Sequence, residues 1–464
     1  MKTPAILAAL AVAGAMSVQA QPTVPADAVH VEGRTDTGAR WVMDMPKAWN
    51  GVVLLWSRGY AGGAQPPEPE DAPRDMRPWL LANGYALAGS SYSTAGWAVE
   101  QAVPDQLATL AAFKARFGEP KRAIAWGDSM GGMVSIALAE RAGEQFAGAL
   151  PMCGSVAGAV GMMNVGLDGA FAFKTLVAPG ADIDVVNVRD DFRNAQTVRA
   201  ELAAARATPQ GRARVALAAA LAQLPPWTDP KVSEPAADDV AAQEAETAKA
   251  FASGTFLPRT DQEKRAGGAF SWNVGVDYRA QLKLSGRRAQ VASLYRTAGL
   301  DLDKDLAALN AAPRITAQPA AVAYMKANYT PTGDVRIPVL SMHTLGDGVT
   351  SVNGEMGYIA AVNAAGRGAN MRALFVRGAG HCTFTPAERI AALTTLTDRL
   401  DKGRWSVAPV ELQRRAAALN LGEARFTAAT PAPFLRPCTT RQKRCVGEPV
   451  RSALPASAGR VSAR

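Results

Sequence analysis

The chain has 464 residues, with 50 Lys or Arg against 41 Asp or Glu, a net charge of +9. Residues 1–20 carry +1 and residues 401–464 carry +8, so the 380 residues between are neutral. This excludes a uniformly basic nucleic-acid-binding body and leaves only the C-terminal end as a polyanion candidate. With 48% hydrophobic and 20% charged residues the chain is globular, and its length calls for two domains or one with a large insertion.

Lys2, a short apolar run from Ile6 to Ala13, and Val18-Gln19-Ala20 have the n-, h- and c-regions of a secretory signal peptide cut after Ala20. The run falls short of the roughly 20 apolar residues a membrane span needs, and no later stretch supplies them. The mature chain is expected to be exported, to the periplasm or beyond the cell. His30–Gly33 and Ala39–Pro46 alternate as a hairpin of edge strands. Gly51–Trp56, Tyr85–Gly89, Arg122–Trp126 and Phe146–Met152 are continuous apolar runs, the pattern of strands covered on both faces. Helical periodicity over Pro104–Phe117 and Met130–Ala142 separates them, and the alternation predicts a doubly wound, mostly parallel α/β sheet.

From about Ser155 to Asp334 strand runs are scarce. Ala- and Arg-rich helical stretches (Asn194–Gln223, Asp238–Ala252, Gln290–Thr297, Leu302–Asn310) replace them, broken by turns such as Leu224-Pro225-Pro226-Trp227. Strand character returns at Val335–Met342 and Met371–Val376. The expected organisation is a signal peptide (1–20), an α/β sheet domain in two pieces (21–155 and 335–425), a helical cap (156–334) and a basic C-terminal tail (426–464).

Four cysteines in an exported chain suggest two disulfides with three possible connectivities. Cys438 and Cys445 are seven apart and pair most simply, which leaves Cys153 with Cys382. A four-thiolate zinc site is the rival, but it needs two close pairs and the chain has one.

After the strand ending at Trp126 stands Gly127-Asp128-Ser129-Met130-Gly131-Gly132, then a helix. Gly-x-Ser-x-Gly at a strand–turn–helix junction raises a serine on a sharp turn, and its neighbours two positions away must lack side chains. A nucleophilic serine needs a base. Of three histidines, only His381, in Gly378-Ala379-Gly380-His381-Cys382, follows both Ser129 and a strand-end acid, Asp347. His343 is expected to brace the acid loop, and Asp168, Asp182 and Asp184 are rival acids. Asp301-Leu302-Asp303-Lys304-Asp305 mimics a calcium loop but lacks its later Gly and Glu, so it reads as an acidic helix start. Trp56, Tyr60, Tyr92, Trp97 and Trp126 gather near strand ends, as cleft lining or as plain core.

These segments, about residues 30–155 and 335–400, resemble the α/β-hydrolase family. The resemblance implies Ser129 as nucleophile, His381 as base, Asp347 as acid, and a cap inserted before the penultimate strand. It also implies an oxyanion hole from two backbone amides. One is Met130; the other is Tyr60, if Arg58-Gly59 aligns with the His-Gly pair of many relatives. Cys382 after the histidine is similar to tannases and feruloyl esterases, which pair that cysteine with one just before the serine. Asp128 occupies that place here, and Cys153 is the substitute partner.

The function expected is hydrolysis of a small-molecule or polymer-derived carboxylic ester through an acyl-enzyme, with neither metal nor cofactor. An exo-acting peptidase is the alternative, with Asp238, Asp239, Glu244 and Glu246 to hold a free amine. A non-catalytic binding protein stands third. Nucleic acid is not an expected partner, and the basic tail is a candidate contact for an anionic surface.

Overall fold

The apolar runs form the middle of one sheet. In the computed structural model, which describes residues 28–442 and 445–448, nine strands take the order β1-β2-β4-β3-β5-β6-β7-β8-β9. They are β1 (Val29–Arg34), β2 (Arg40–Met45), β3 (Val52–Ser57), β4 (Ala86–Ser90), β5 (Arg122–Asp128), β6 (Gly148–Met152), β7 (Val339–Gly346), β8 (Met371–Ala379) and β9 (Phe426–Thr427). Pairing is parallel from β4 through β8, while β1, β2 and β9 are antiparallel edges. The signal-peptide residues 1–20 lie outside the described residues.

Strand side chains alternate between two cores. Val53 and Leu55 of β3 join Ala123 and Ala125 of β5 on one face. Leu54, Trp56, Ile124 and Trp126 join Leu150 and Met152 on the other. Both faces are covered by helices: α1 (Arg77–Ala82), α2 (Val99–Phe117) and α3 (Met130–Arg141) early, and three late helices named below. Helix α2 starts five residues before the expected Pro104, which it tolerates inside its second turn.

Between β6 and β7 lie α4 (Ala159–Leu176), α5 (Asp191–Arg206), α6 (Pro209–Leu221), α7 (Val240–Thr255), α8 (Thr260–Ala266), α9 (Tyr278–Leu284), α10 (Arg288–Thr297), α11 (Leu302–Ala311) and α12 (Pro319–Tyr329). They enclose a third core around Phe173, Leu217 and Phe251. The helical stretch read over Asn194–Gln223 is two helices, because Thr208 caps α6 through the Gly211 amide and Pro209 starts it. Helix α4 escapes periodicity altogether because it is buried nearly all round. Its Gly169 admits Ala222 and the Ala218 carbonyl where a Cβ would collide. Asp301 caps α11 through the Asp303 and Lys304 amides, the acidic helix start expected there.

After β7 come α13 (Asn353–Ala364), α14 (Pro386–Lys402) and α15 (Pro409–Ala417). The segment that follows differs from the expected basic tail. Phe434 and Leu435 are buried with Ala157 and Val165. Arg436 is buried against Asp168 at 2.7 Å, and the indole of Trp272 donates to the Val446 carbonyl at 2.8 Å. The described residues 430–442 and 445–448 thus form a packed strap over the helical insertion. A charge neutralised inside the protein cannot meet an external anion, so Arg436 leaves the basic patch. Lys443, Arg444, Arg451, Arg460 and Arg464 lie outside the described residues.

Candidate active site

The serine turn is built by its glycines. A Cβ on Gly127 would stand 2.3 Å from the Ser57 carbonyl oxygen, and one on Gly131 at 1.9 Å. Bare backbone there lets β3, β5 and α3 close on each other. Ser129 pays with φ 59° and ψ −122°, a backbone state that non-glycine residues seldom adopt. Tyr92, Cys153 and Cys382, close by in the fold or chain, also have positive φ.

The structure brings three of the sequence-predicted side chains into one hydrogen-bonded line. His381 Nε2 lies 2.8 Å from Ser129 Oγ, and its Nδ1 lies 2.7 Å from Asp347 Oδ2. The amides of Val349 and Thr350 donate to Asp347 Oδ1 at 2.8 and 2.9 Å, which fixes the carboxylate plane. Asp347 is fully buried. Burial alone raises a carboxyl pKa, but the charge of His381 and hydrogen bonds with His343 and His381 outweigh it and hold Asp347 below the usual range. The rival acids are engaged elsewhere: Asp168 with Arg436, Asp182 and Asp184 with Arg189.

His343 braces the acid loop. Its Nε2 is 2.7 Å from the Thr350 carbonyl and its Nδ1 3.1 Å from Glu355. Burial lowers an imidazole pKa, yet here the hydrogen bonds and charges of Asp347 and Glu355 prevail and raise it to about 10. The folded state therefore holds this proton more tightly than the unfolded chain. The resulting stabilisation is complete below the unfolded value of 6.5 and is lost as pH rises through about 10. His343→Gln is expected to cost about 3–5 kcal/mol at pH 7, since it leaves buried carboxylates without their cation. Urea unfolding at pH 7 and pH 10 should then show a smaller pH-dependent loss in the variant than in the parent.

On the other side of Ser129, a Cβ on Gly59 would lie 3.3 Å from Ser129 Cβ, so the Arg58–Tyr60 turn sits against the serine. Among the described residues neither the Tyr60 nor the Met130 amide donates to a protein acceptor; Met130 is the first residue of α3, where an amide has no intrahelical partner. Arg58 locks this turn. Its guanidinium donates to the Ser91, Thr94 and Gly59 carbonyls and lies 4.4 Å over the Tyr92 ring. Of the strand-end aromatics, Tyr92 and Trp126 are core. Tyr60 and Trp97 form a ring pair, centroids 5.3 Å apart, beside the helical insertion, where the Trp97 amide meets Asp261.

Both disulfides join the expected partners, Cys153–Cys382 and Cys438–Cys445. With all four thiols consumed, the four-thiolate zinc alternative falls. The first bridge ties the end of β6 to the residue after His381 and spans 229 residues. Replacing both cysteines with serine is expected to lower the unfolding free energy by about 2–4 kcal/mol, chiefly because an unbridged denatured chain is freer. Equilibrium urea unfolding checks it.

Three functional neighbours have no sequence signal: Thr350, whose hydroxyl lies 3.0 Å from Asp347 Oδ2, Glu355 and Arg389. Thr350 comes from the Asp347 loop itself, Glu355 from α13 and Arg389 from α14.

The sheet order, the glycine-flanked serine turn and the strand-end acid and histidine define a hydrolase of the α/β-hydrolase fold. No family model matches the chain. It is 31% identical over 438 residues to an o-phthalyl amidase of Xanthobacter agilis, covering 85% of this chain and 93% of that protein, and it belongs to that enzyme's family. Among solved structures it is similar to feruloyl esterase B from Aspergillus oryzae, at 14% identity and a TM-score of 0.39, over 82% of this chain and 80% of that one. It is also similar to an esterase of Pyrococcus furiosus, at 11% identity and a TM-score of 0.37, over 82% of this chain and 91% of that one.

Proposed function

We propose that the protein is an exported serine hydrolase that cleaves an aromatic acyl amide of the o-phthalyl type through a covalent acyl-enzyme. The observation that carries the serine mechanism is the Ser129–His381–Asp347 line at 2.8 and 2.7 Å. His381 takes the hydroxyl proton as Oγ attacks the carbonyl carbon, and the oxyanion rests on the Tyr60 and Met130 amides. The imidazolium then gives its proton to the departing nitrogen, and water, activated by the same histidine, releases the acid. The amide takes precedence over the ester expected from leaving-group chemistry because the full-length relative is named an amidase. The disulfides support export.

An exo-peptidase would need free carboxylates for the substrate amine. Glu244 is buried against Arg206 and Glu246 accepts the Thr228 and Asp229 amides, so neither is available to hold a free amine. Asp239 caps α7. The test compares an o-phthalyl anilide, a nitrophenyl ester panel and aminoacyl anilides, alongside labelling of Ser129 by a fluorophosphonate. Turnover of the first is expected. Turnover of esters alone would return the protein to the esterases, and a folded protein that does not label would not be a serine hydrolase.

A further inference from the structure

The serine turn and the histidine loop come from strands that do not touch. In the sheet β5 and β8 are separated by β6 and β7, roughly 14 Å at ordinary strand spacing. A hydrogen bond of 2.8 Å between Ser129 and His381 therefore depends on whatever sets the two segments across that gap. The Cys153–Cys382 bridge fastens the histidine loop to β6, not to the serine turn itself.

Arg389, in the first turn of α14, makes the missing connection. Its Nη1 and Nη2 donate to both carboxylate oxygens of Asp128, at 2.7 and 2.6 Å. Nη2 also reaches the Cys382 carbonyl at 3.2 Å. Asp128 immediately precedes Ser129, and Cys382 immediately follows His381. One planar fork thus holds the chain neighbours of both reacting side chains. The guanidinium is buried, lies 5.3 Å over the Phe384 ring and sits 3.7 Å from Met152 Sδ. These contacts fix its plane, and a bidentate carboxylate pair of this kind is more directional than a lysine contact.

We propose that Asp128 and Arg389 are a positioning pair for the reaction, setting the register between Ser129 Oγ and His381 Nε2. The inference rests on the roles given to those two residues above. Neither member touches the reacting atoms. Their effect is on alignment, where a displacement of about 1 Å costs on the order of 100-fold in rate.

The test uses the full chain with Arg389→Lys, Asp128→Asn and both together, each assayed where circular dichroism shows it folded. Two quantities are read: kcat and KM on the acyl substrate, and the rate of fluorophosphonate labelling at Ser129. Arg389→Lys is expected to lower kcat and labelling by about 10- to 100-fold while KM stays within about twofold. Asp128→Asn keeps the shape and one acceptor, so a fall of about 3- to 10-fold is expected. The double variant should be no slower than Arg389→Lys alone, because one connection can be cut only once. Unchanged kcat and labelling in folded Arg389→Lys, or losses that multiply in the double variant, would overturn the pairing. Should Arg389→Lys not fold, unchanged kcat and labelling in Asp128→Asn would do so. If the unaltered protein fails to label, the serine mechanism falls and this inference with it; if it labels and the variants label equally, only the inference falls.

Discussion

Ser129→Ala is expected to lower kcat by about 10⁶-fold while the protein remains folded. The loss is large because the nucleophile, once gone, leaves the histidine and the oxyanion amides to act only on a loosely placed water. The fold survives because alanine differs from serine by one oxygen. Ser129 is the residue before α3, and its side chain makes no cap hydrogen bond to that helix; its partner is His381. Steady-state assays at high enzyme concentration give the residual rate, and an unchanged thermal transition shows that the loss is chemical. A variant within tenfold of the parent would move the nucleophile elsewhere.

Asp347→Asn is expected to cost about 10⁴-fold in kcat. The carboxylate, charged and an acceptor at both oxygens, does two things. It accepts a hydrogen bond from the Nδ1–H of His381 at 2.7 Å, so that Nε2 faces Ser129 with its lone pair. In the proposed mechanism it also stabilises the positive imidazole that forms when Ser129 gives up its proton. An asparagine that turned its NH2 group toward His381 would favour the opposite tautomer, with the proton on Nε2. The same oxygen lies 3.4 Å from His343 Nε2, so the variant also strips one of two carboxylates from that buried cation. A lower thermal transition should accompany the rate loss, whereas Ser129→Ala should show none. Measuring both variants by calorimetry and by kcat separates the two effects.

Much of this site is legible in the chain because its constraints are local. Ser129 must stand between residues without side chains, and Gly127 and Gly131 record that need at fixed spacing. His381 follows from scarcity, since three histidines leave little choice. Asp347 follows from chain order. The helical insertion announces itself by a change of pattern, but its first helix does not. Helix α4 is buried on every side, and a helix with no polar face leaves no period to find. The acids Glu244 and Glu246 mislead for the opposite reason: an acidic stretch offers itself to a substrate amine, while its partners Arg206, Thr228 and Asp229 arrive from other segments. The C-terminal strap misleads likewise, since nothing beside Arg436 in the chain reveals Asp168, 268 residues earlier.

The amino-acid order by itself determines the sheet, the serine turn and the three residues that meet there, because strand burial and turn sterics act over a few neighbouring positions. Tertiary structure alone decides what packs around those residues. The Asp128–Arg389 fork and the seating of residues 430–442 and 445–448 on the insertion join segments far apart in the chain, while the proton on His343 is held by the burial of Asp347 and Glu355 around it. Their energies come from excluding water around paired charges, a property of the packed interior that no stretch of sequence carries alone.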